Sequence, residues 1–326
     1  MLKHSSFLSL LFLSILLLAC TPDKKKDDAL TLLFTGDVLL DRGIRPIAET
    51  KGVPYLFEGV VDEFSHADAV IINLECPLAD TLSPLGKQYI FQAPTRWAAG
   101  LHEAGITHAC MANNHTNDQS RRGLRSTAHA LRNAGITPLG YGTTDAGRSA
   151  PVIIHKGGVT AALFNSVTFP LENWMPTVED NPDVCQLGVE ALAAVIHEYK
   201  AAHPDHYAIA VLHWGTEFQS SPSMRQRLGA ATLAAAGCDA IIGHHPHVVQ
   251  LSAEPCSLIT DRPVTVPVFY SLGNFVFDQT PPATRRAVMA ELVLTSDTLF
   301  ARPIPVTIRH CRPFTRAIRK KNYYTN

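Results

Sequence analysis

Three histidines fall within four consecutive positions in Gly243-His244-His245-Pro246-His247, directly after the apolar run Cys238-Asp239-Ala240-Ile241-Ile242. The run reads as a short buried strand closed by a glycine, with the histidines on the loop that leaves it. Imidazole is costly to bury without a partner, and Pro246 stiffens the loop so that His245 and His247 project together. Imidazole nitrogen is also the commonest ligand of divalent transition metals, so a metal is the chemistry to look for. The plainer alternative is a solvated histidine loop.

Other apolar runs end in donor groups too, which weighs against that alternative. The first ends in Gly36-Asp37, with Asp41 and Arg42 beyond, and the second in Asn73-Leu74-Glu75. The third ends in Asn113-Asn114-His115 with Asn117-Asp118, and a later one in His213-Trp214-Gly215-Thr216-Glu217. The last delivers Ser271-Leu272-Gly273-Asn274-Phe275 and then Asp278. Sheets in α/β folds place their ligands at the carboxyl ends of strands. Each group also has a plainer role: Asp37 as a helix cap, Asn113-Asn114 as turn residues, His213 as a satisfied core histidine, Asn274 as a loop holder. Trp214 reads as packing.

Asp37, Glu75, Asn114, His213, His245 and His247 together make a mixed carboxylate, amide and imidazole set. Such a set suits manganese, zinc or iron better than calcium, which prefers oxygen alone. Six protein donors exceed the needs of one tetrahedral zinc but suit one or two ions, two of them sharing a bridging carboxylate. Ions in an open cleft polarise a phosphoryl oxygen and generate a nucleophile near neutral pH. His115, beside Asn114, is placed to protonate a leaving alkoxide. Nearby cations oppose the protonated imidazole, so a carboxylate such as Asp118 has to offset them. Arg42 and Asn274 are the candidate substrate contacts.

Those donors need a scaffold, and one unit recurs three times: a helical stretch, Ala-Gly, then an apolar strand. It occurs at Leu101 to Cys110, Leu131 to Gly140 and Leu233 to Ile242. Glycine there fits the left-handed residue that ends a helix. Strands are expected at Leu30 to Thr35, Ala69 to Asn73, Thr107 to Met111, Val152 to His155, Thr160 to Asn165, Tyr207 to His213, Ala240 to Gly243 and Val264 to Ser271. Val288 to Thr295 and Phe300 to Ile308 follow without helices between them. Helices are expected at Arg96 to Glu103, Arg122 to Asn133, Glu190 to Ala202 and Met224 to Ala236. A chain that starts in helix-strand alternation and ends in successive strands is α/β, with a mixed sheet or two packed sheets. Pro170 to Pro182, with three prolines, reads as an excursion that forms a lid.

A basic start at Lys3-His4, an apolar run from Phe7 to Leu18 and Leu17-Leu18-Ala19-Cys20 resemble a bacterial lipoprotein leader. Cleavage before Cys20, whose thiol would carry the lipid, leaves 326 − 19 = 307 residues. Residues 20–29 then read as a polar tether and 30–326 as one domain, in a membrane-anchored lipoprotein of the cell envelope. At 46% hydrophobic and 17% charged the chain has the composition of a globular enzyme, and a net charge of −1 gives no support to nucleic-acid binding. The basic runs at Arg121, Arg122 and Arg125, and from Arg309 to Lys321, read as solvated faces. Of the six cysteines besides Cys20, Cys110 and Cys238 read as buried small hydrophobes, and a Cys256 to Cys311 bridge is left open.

The motifs GDVLLDR (from Gly36), NLE (from Asn73), ANNHTND (from Ala112), HWGTE (from His213), GHHPH (from Gly243) and SLGNF (from Ser271) occur in this order. Over about Thr31 to Phe277 they resemble the bacterial CapA family of poly-γ-glutamate or capsule biosynthesis proteins, similar in turn to calcineurin-like metallophosphoesterases. The resemblance implies a four-layer αββα sandwich of two mixed sheets flanked by helices, with metals at the strand ends. It implies a membrane-attached role in making, exporting or anchoring an anionic polymer such as poly-γ-glutamate, beside a polymer synthase. Asp37 falls on the phosphoesterases' first-strand aspartate, Asn114-His115 on their Gly-Asn-His, His213 on the lone histidine, and His245 and His247 on the closing His-x-His. Leu39 stands where their Asp-x-His has its histidine, and Asn73-Leu74-Glu75 replaces their bridging Gly-Asp-x-x-Asp. Three readings remain: a metal-dependent hydrolase, a non-catalytic polymer-assembly module that binds through the cleft and Arg42, and an interaction protein with a structural metal.

Overall fold

The computed structural model describes residues 29–171, 183–251 and 266–315. The expected lipoprotein leader and all but the last residue of the expected tether, nearly all of the Pro170 to Pro182 excursion, Cys256 and the end of the basic tail lie outside the described residues. Two large sheets carry the chain. One is ordered Arg312–Thr315, Leu299–Arg309, Arg286–Leu294, Leu30–Val38, Ala69–Leu74, His108–Cys110, Thr137–Leu139, and Asn274–Val276 joins the end of Leu30–Val38. The other is ordered Val249–Leu251, Val268–Leu272, Ala240–His244, Tyr207–His213, Val159–Val167, Val152–Lys156. Both are mixed: Leu30–Val38 lies parallel to Ala69–Leu74 and antiparallel to Arg286–Leu294. In the second sheet Ala240–His244 lies parallel to Tyr207–His213, while Val152–Lys156 runs antiparallel to Val159–Val167.

Side-chain alternation along these strands builds the layers. Leu30, Leu32, Phe34, Ala69 and Ile71 pack against Leu163, Ile209, Val211 and Ile242 between the two sheets. The alternate residues Leu33, Val70 and Ile72 face Leu101, Leu124 and Leu131 of the helices on one side. Phe164, Ala210, Leu212 and Ile241 face Leu192, Ile196 and Leu233 of helices on the other. The sequence of layers is therefore helix, sheet, sheet, helix. Central strands buried on both faces read as continuous apolar runs, which is why they stand out in the sequence.

The expected helices are present at Trp97–Glu103, Ser120–Asn133, Val189–Ala202 and Met224–Ala235. All three Ala-Gly units end as expected: Gly105, Gly135 and Gly237 have φ of +97°, +81° and +95°. After each glycine a backbone N–H donates to the carbonyl five residues back: Ile106 to Leu101, Ile136 to Leu131, Cys238 to Leu233. The motif satisfies carbonyls at the helix end and turns the chain straight into a strand. Cys76, Cys110, Cys185 and Cys238 are buried thiols. The short helices Arg45–Lys51 and Val61–Ser65 and the strands Val249–Leu251 and Asn274–Val276 were not anticipated, being too short for a periodic signal.

His108, partly buried in the third strand, is held down at about 4 by burial. The unfolded chain therefore takes up a proton that the folded one refuses between pH 6.5 and about 4. Stability from this group is complete above that window and lost as pH falls through it, about 2 kcal/mol after a discount for partial exposure. His108→Gln is expected to flatten the pH dependence of Tm across the window by that amount. Equal slopes in the two proteins would refute the assignment.

Candidate metal centre

Strand periodicity aims most of the donors. In Ala69–Leu74, Ala69 and Ile71 face the inter-sheet layer, so Asn73 continues that face and Glu75 follows at the same parity just past the strand's end. In Tyr207–His213, Ile209 and Val211 face inward and His213 is next in that series, while Ala240 and Ile242 are followed by His244. Asp37 has the opposite parity to Leu30, Leu32 and Phe34. It reaches the same layer because the pairing with Ala69–Leu74 shifts register between Phe34 and Asp37. Such an irregularity re-aims a side chain next to a site. The first strand, expected to stop at Thr35, thus runs on to Val38 with Asp37 inside it.

At this edge the apolar layer gives way to two groups of metal-type donors, Asp37, Glu75, His247 and Glu75, His213, His245. Within each group one ligand atom per residue lies within 4.8 Å of the others. Glu75 belongs to both, as a bridging carboxylate must. Asn114 extends the second group, its Oδ1 lying 2.9 Å from His213 Nε2. All six expected ligands are thereby brought together. His245 and His247 have left-handed φ of +97° and +57° on either side of Pro246, strain of the kind found at functional sites. They project into one cleft but into different groups.

The groups fit a divalent ion on a direct test. Asp37 Oδ2, Glu75 Oε1 and His245 Nδ1 are buried and have no hydrogen-bond partner. Buried polar atoms left without partners cost free energy and call for an explanation. Here each belongs to a donor group, and one ion in each group would satisfy them. His247 Nδ1 lies 3.2 Å from Asp37 Oδ2, yet that contact does not satisfy the oxygen. Burial, and then the neighbouring His245, hold His213 well below its ordinary value; burial, and then His247, hold His245 at about 3. Both are held as neutral imidazoles at neutral pH, and His245 Nδ1 has no partner. Burial opposes charge on His247, but Glu75 and Asp37 raise it to about 9. Burial also works to raise Asp37, and His247 overrides it to hold that carboxyl below its usual value. The pocket is built around positive charge.

Asn274, expected as a substrate contact, is fully buried and acts behind the ligands. Its Nδ2 donates to Gln279 Oε1 at 2.9 Å and to the Thr284 carbonyl at 3.3 Å. The two acceptors orient the amide, so Oδ1 must accept from His247 Nδ1 at 2.9 Å. That bond places the proton on Nδ1 and leaves Nε2 for an ion. Asn274→Ala is expected to weaken metal binding roughly 10- to 100-fold with the fold retained, as measured by metal titration. An unchanged affinity would remove this role.

Asp118 also lies behind the cleft. It is fully buried, its Oδ2 accepts from His115 Nδ1 at 2.8 Å, and its Oδ1 accepts from Lys87 Nζ at 2.6 Å. Its charge acts against the burial that holds His115 down, and with both oxygens engaged it positions His115 from behind the cleft. Lys87, missed in the sequence, donates a second bond to the Asn114 carbonyl at 2.6 Å and so fixes the ligand turn. The Phe91 ring centroid lies 4.1 Å from that of His115. Arg42 sits at the rim, paired with Asp278 and stacked over Phe91 and Phe277 at 5.1 and 5.5 Å.

Asn73, noted in the sequence at its strand's end but given no role there, also belongs to the site. Its Nδ2 donates to Asp37 Oδ1 at 2.8 Å and lies 3.5 Å from both Glu75 Oε2 and His213 Nδ1. The i, i+2 spacing to Glu75 was the available signal. Asn113 holds the ligand turn from below, donating to the Leu74 carbonyl at 2.9 Å. His244 bonds the Thr35 carbonyl of the facing sheet at 2.9 Å and ties the sheets together. Trp214 is packing, its Nε1 donating to the Tyr270 carbonyl at 2.9 Å.

Residues 31–279 match the family model described as bacterial capsule synthesis protein PGA_cap. The chain belongs to this family. The PGA_cap protein is 32% identical over 278 residues to the PGA biosynthesis protein CapA of Bacillus subtilis, covering 83% of this chain and 70% of the relative. It is 28% identical over 309 residues to the capsule biosynthesis protein CapA of Bacillus anthracis, covering 92% and 73%. Among solved structures it resembles a phosphatase of Mycoplasma pneumoniae, with a TM-score of 0.50 at 14% identity over 86% of this chain and 94% of the other. A hypothetical protein of Thermus thermophilus matches with a TM-score of 0.52 at 17% identity, over 85% and 98%. The chain therefore shares the fold of these two structures. Among its described residues no helix is long and apolar enough to cross a membrane.

Proposed function

We propose that this PGA_cap protein is a metal-dependent hydrolase of the cell envelope. It cleaves a phosphoester or a polymer linkage during synthesis, export or anchoring of an anionic polymer such as poly-γ-glutamate. One observation carries the reading: Glu75 is shared by two donor groups whose buried Asp37, Glu75 and His245 atoms lack partners. Manganese, zinc or iron in these groups would supply Lewis-acid polarisation of the substrate oxygen. The residues do the rest. Asn73 holds Asp37, and Asn274 presents His247 Nε2. Asp118 keeps the proton of His115 on Nδ1, which leaves Nε2 to take a proton and return it to the leaving oxygen. Phe91 and Phe169, packed on His115 and His245, limit water around the histidines. Arg42 at the rim is the candidate contact for an anionic substrate. A lipid on Cys20, attachment to a membrane and a polymer synthase beside it belong to the same proposal, with residues 30–326 acting as one domain.

A second reading, a non-catalytic polymer-binding module of the assembly machinery, is favoured by Leu39. That residue stands where phosphoesterases have a histidine ligand, and it is fully buried in the core under the helices. Elemental analysis with a panel of small phosphoesters separates the two. The hydrolase is expected to co-purify with metal and turn over at least one phosphoester, and His245→Ala is expected to abolish turnover while Tm stays within about 2 °C. No metal and no turnover, with polymer binding that survives chelation, would leave the assembly module.

A further inference from the structure

We propose that a cavity beside the metal centre is a subsite for one amino-acid unit of the polymer, with Arg225 pairing its carboxylate. The inference rests on the capsule-polymer reading above and adds the unit bound and the residue that selects it. The cavity has a volume of about 430 Å³, and its lining includes Phe169, Glu190, Trp214, Thr216, Arg225 and Leu228. This is the lower part of the range for small-ligand sites, roughly 300–1,000 Å³, and suits one or two units of a chain rather than a long stretch. It adjoins the metal groups through Phe169, whose ring centroid lies 4.8 Å from that of His245 and 6.0 Å from that of His213. Trp214 and Thr216 follow directly on the strand that delivers His213.

Charge decides the ligand class. Arg225 lies in the first turn of the Met224–Ala235 helix and Glu190 in the first turn of Val189–Ala202, and both side chains line the cavity. Neither forms an ion pair among the described residues. A cation and an anion on the wall of one cavity suit a group with a carboxylate and an amine or amide N–H. A phosphate dianion would meet the Glu190 carboxylate as a like charge. Guanidinium binds carboxylate through two parallel hydrogen bonds, and the exposed faces of Phe169 and Leu228 can cover methylene groups. The wall behind Arg225 is rigid: Gln226 completes a capping box with Ser223, and its Nε2 donates to Gln250 Oε1 at 3.1 Å. A site set in advance loses less entropy on binding.

The test is calorimetric titration of the metal-loaded protein with a γ-linked glutamate dimer, with metal content measured in the same preparation. Saturable binding of one dimer is expected. Arg225→Glu, and independently Leu228→Trp, which fills the cavity from an exposed position, should each weaken it at least about tenfold with metal content unchanged. The dimer with its carboxylates amidated should bind at least about tenfold more weakly than the acid. Absence of binding to the unmodified protein, equal affinity in both variants, or equal affinity for the amidated dimer would each overturn the proposal. A blank phosphoester panel would count against the hydrolase reading alone, because dimer binding is read without turnover.

Discussion

Glu75→Gln is expected to empty both donor groups at once. Burial, and then the charge of Asp37, push the Glu75 carboxyl well above its usual range, so its ionised form would need a cation beside it. Glutamine keeps the volume and one oxygen but removes the charge that both groups share. Metal content should fall below about a tenth of the unaltered protein's, and turnover by on the order of 10³-fold, more than removal of a ligand's supporting partner costs. Because burial and Asp37 favour the uncharged Glu75 carboxyl when no ion is present, glutamine then replaces a neutral group of the same shape, and Tm measured in chelator should not fall. His213→Ala, which touches only one group, should retain part of the metal. Full metal occupancy in Glu75→Gln would break the shared-ligand arrangement and the proposed function with it.

The second large effect is on stability. Gly243 precedes the histidine loop, and a Cβ built there would lie 2.1 Å from the Tyr270 carbonyl oxygen and 2.4 Å from Trp214 Nε1. Those two atoms are hydrogen-bonded to each other at 2.9 Å, and neither belongs to a flexible side-chain tip. The strand Val268–Leu272, paired in parallel with Ala240–His244, would have to move. Gly243→Ala is therefore expected to cost at least about 4 kcal/mol and to lower Tm by on the order of 10 °C. Gly158→Ala is the internal control: nothing lies within 4 Å of its Cβ position, and a change within about 0.5 kcal/mol is expected. Similar melting temperatures for the two variants would refute the close packing at Gly243.

Much of the scaffold was legible because its signals are local. A doubly buried strand is an apolar run, and Ala-Gly ends a helix through the conformation of one residue, as Gly105, Gly135 and Gly237 do. The ligand list was legible for a related reason: donors clustered after apolar runs are unusual whatever they face. The motifs from Gly36 to Phe275 were also specific enough to indicate the family before any coordinates.

What the sequence alone determined was which residues are candidates for the chemistry and the period that turns each strand's faces. Only the tertiary structure decided their roles, because those depend on contacts between residues far apart in the chain and on departures from the period. A register shift, invisible in composition, turns Asp37 to the inter-sheet layer. Asn274 became a support for His247 because Gln279 and Thr284 orient its amide. Lys87, in an irregular loop, acquired a role only when folding laid it against Asp118 and Asn114, 31 and 27 residues away. Glu75 came to be shared by both donor groups because His213, His245 and His247 arrive from the opposite sheet, and no local pattern encodes which strand end another will face.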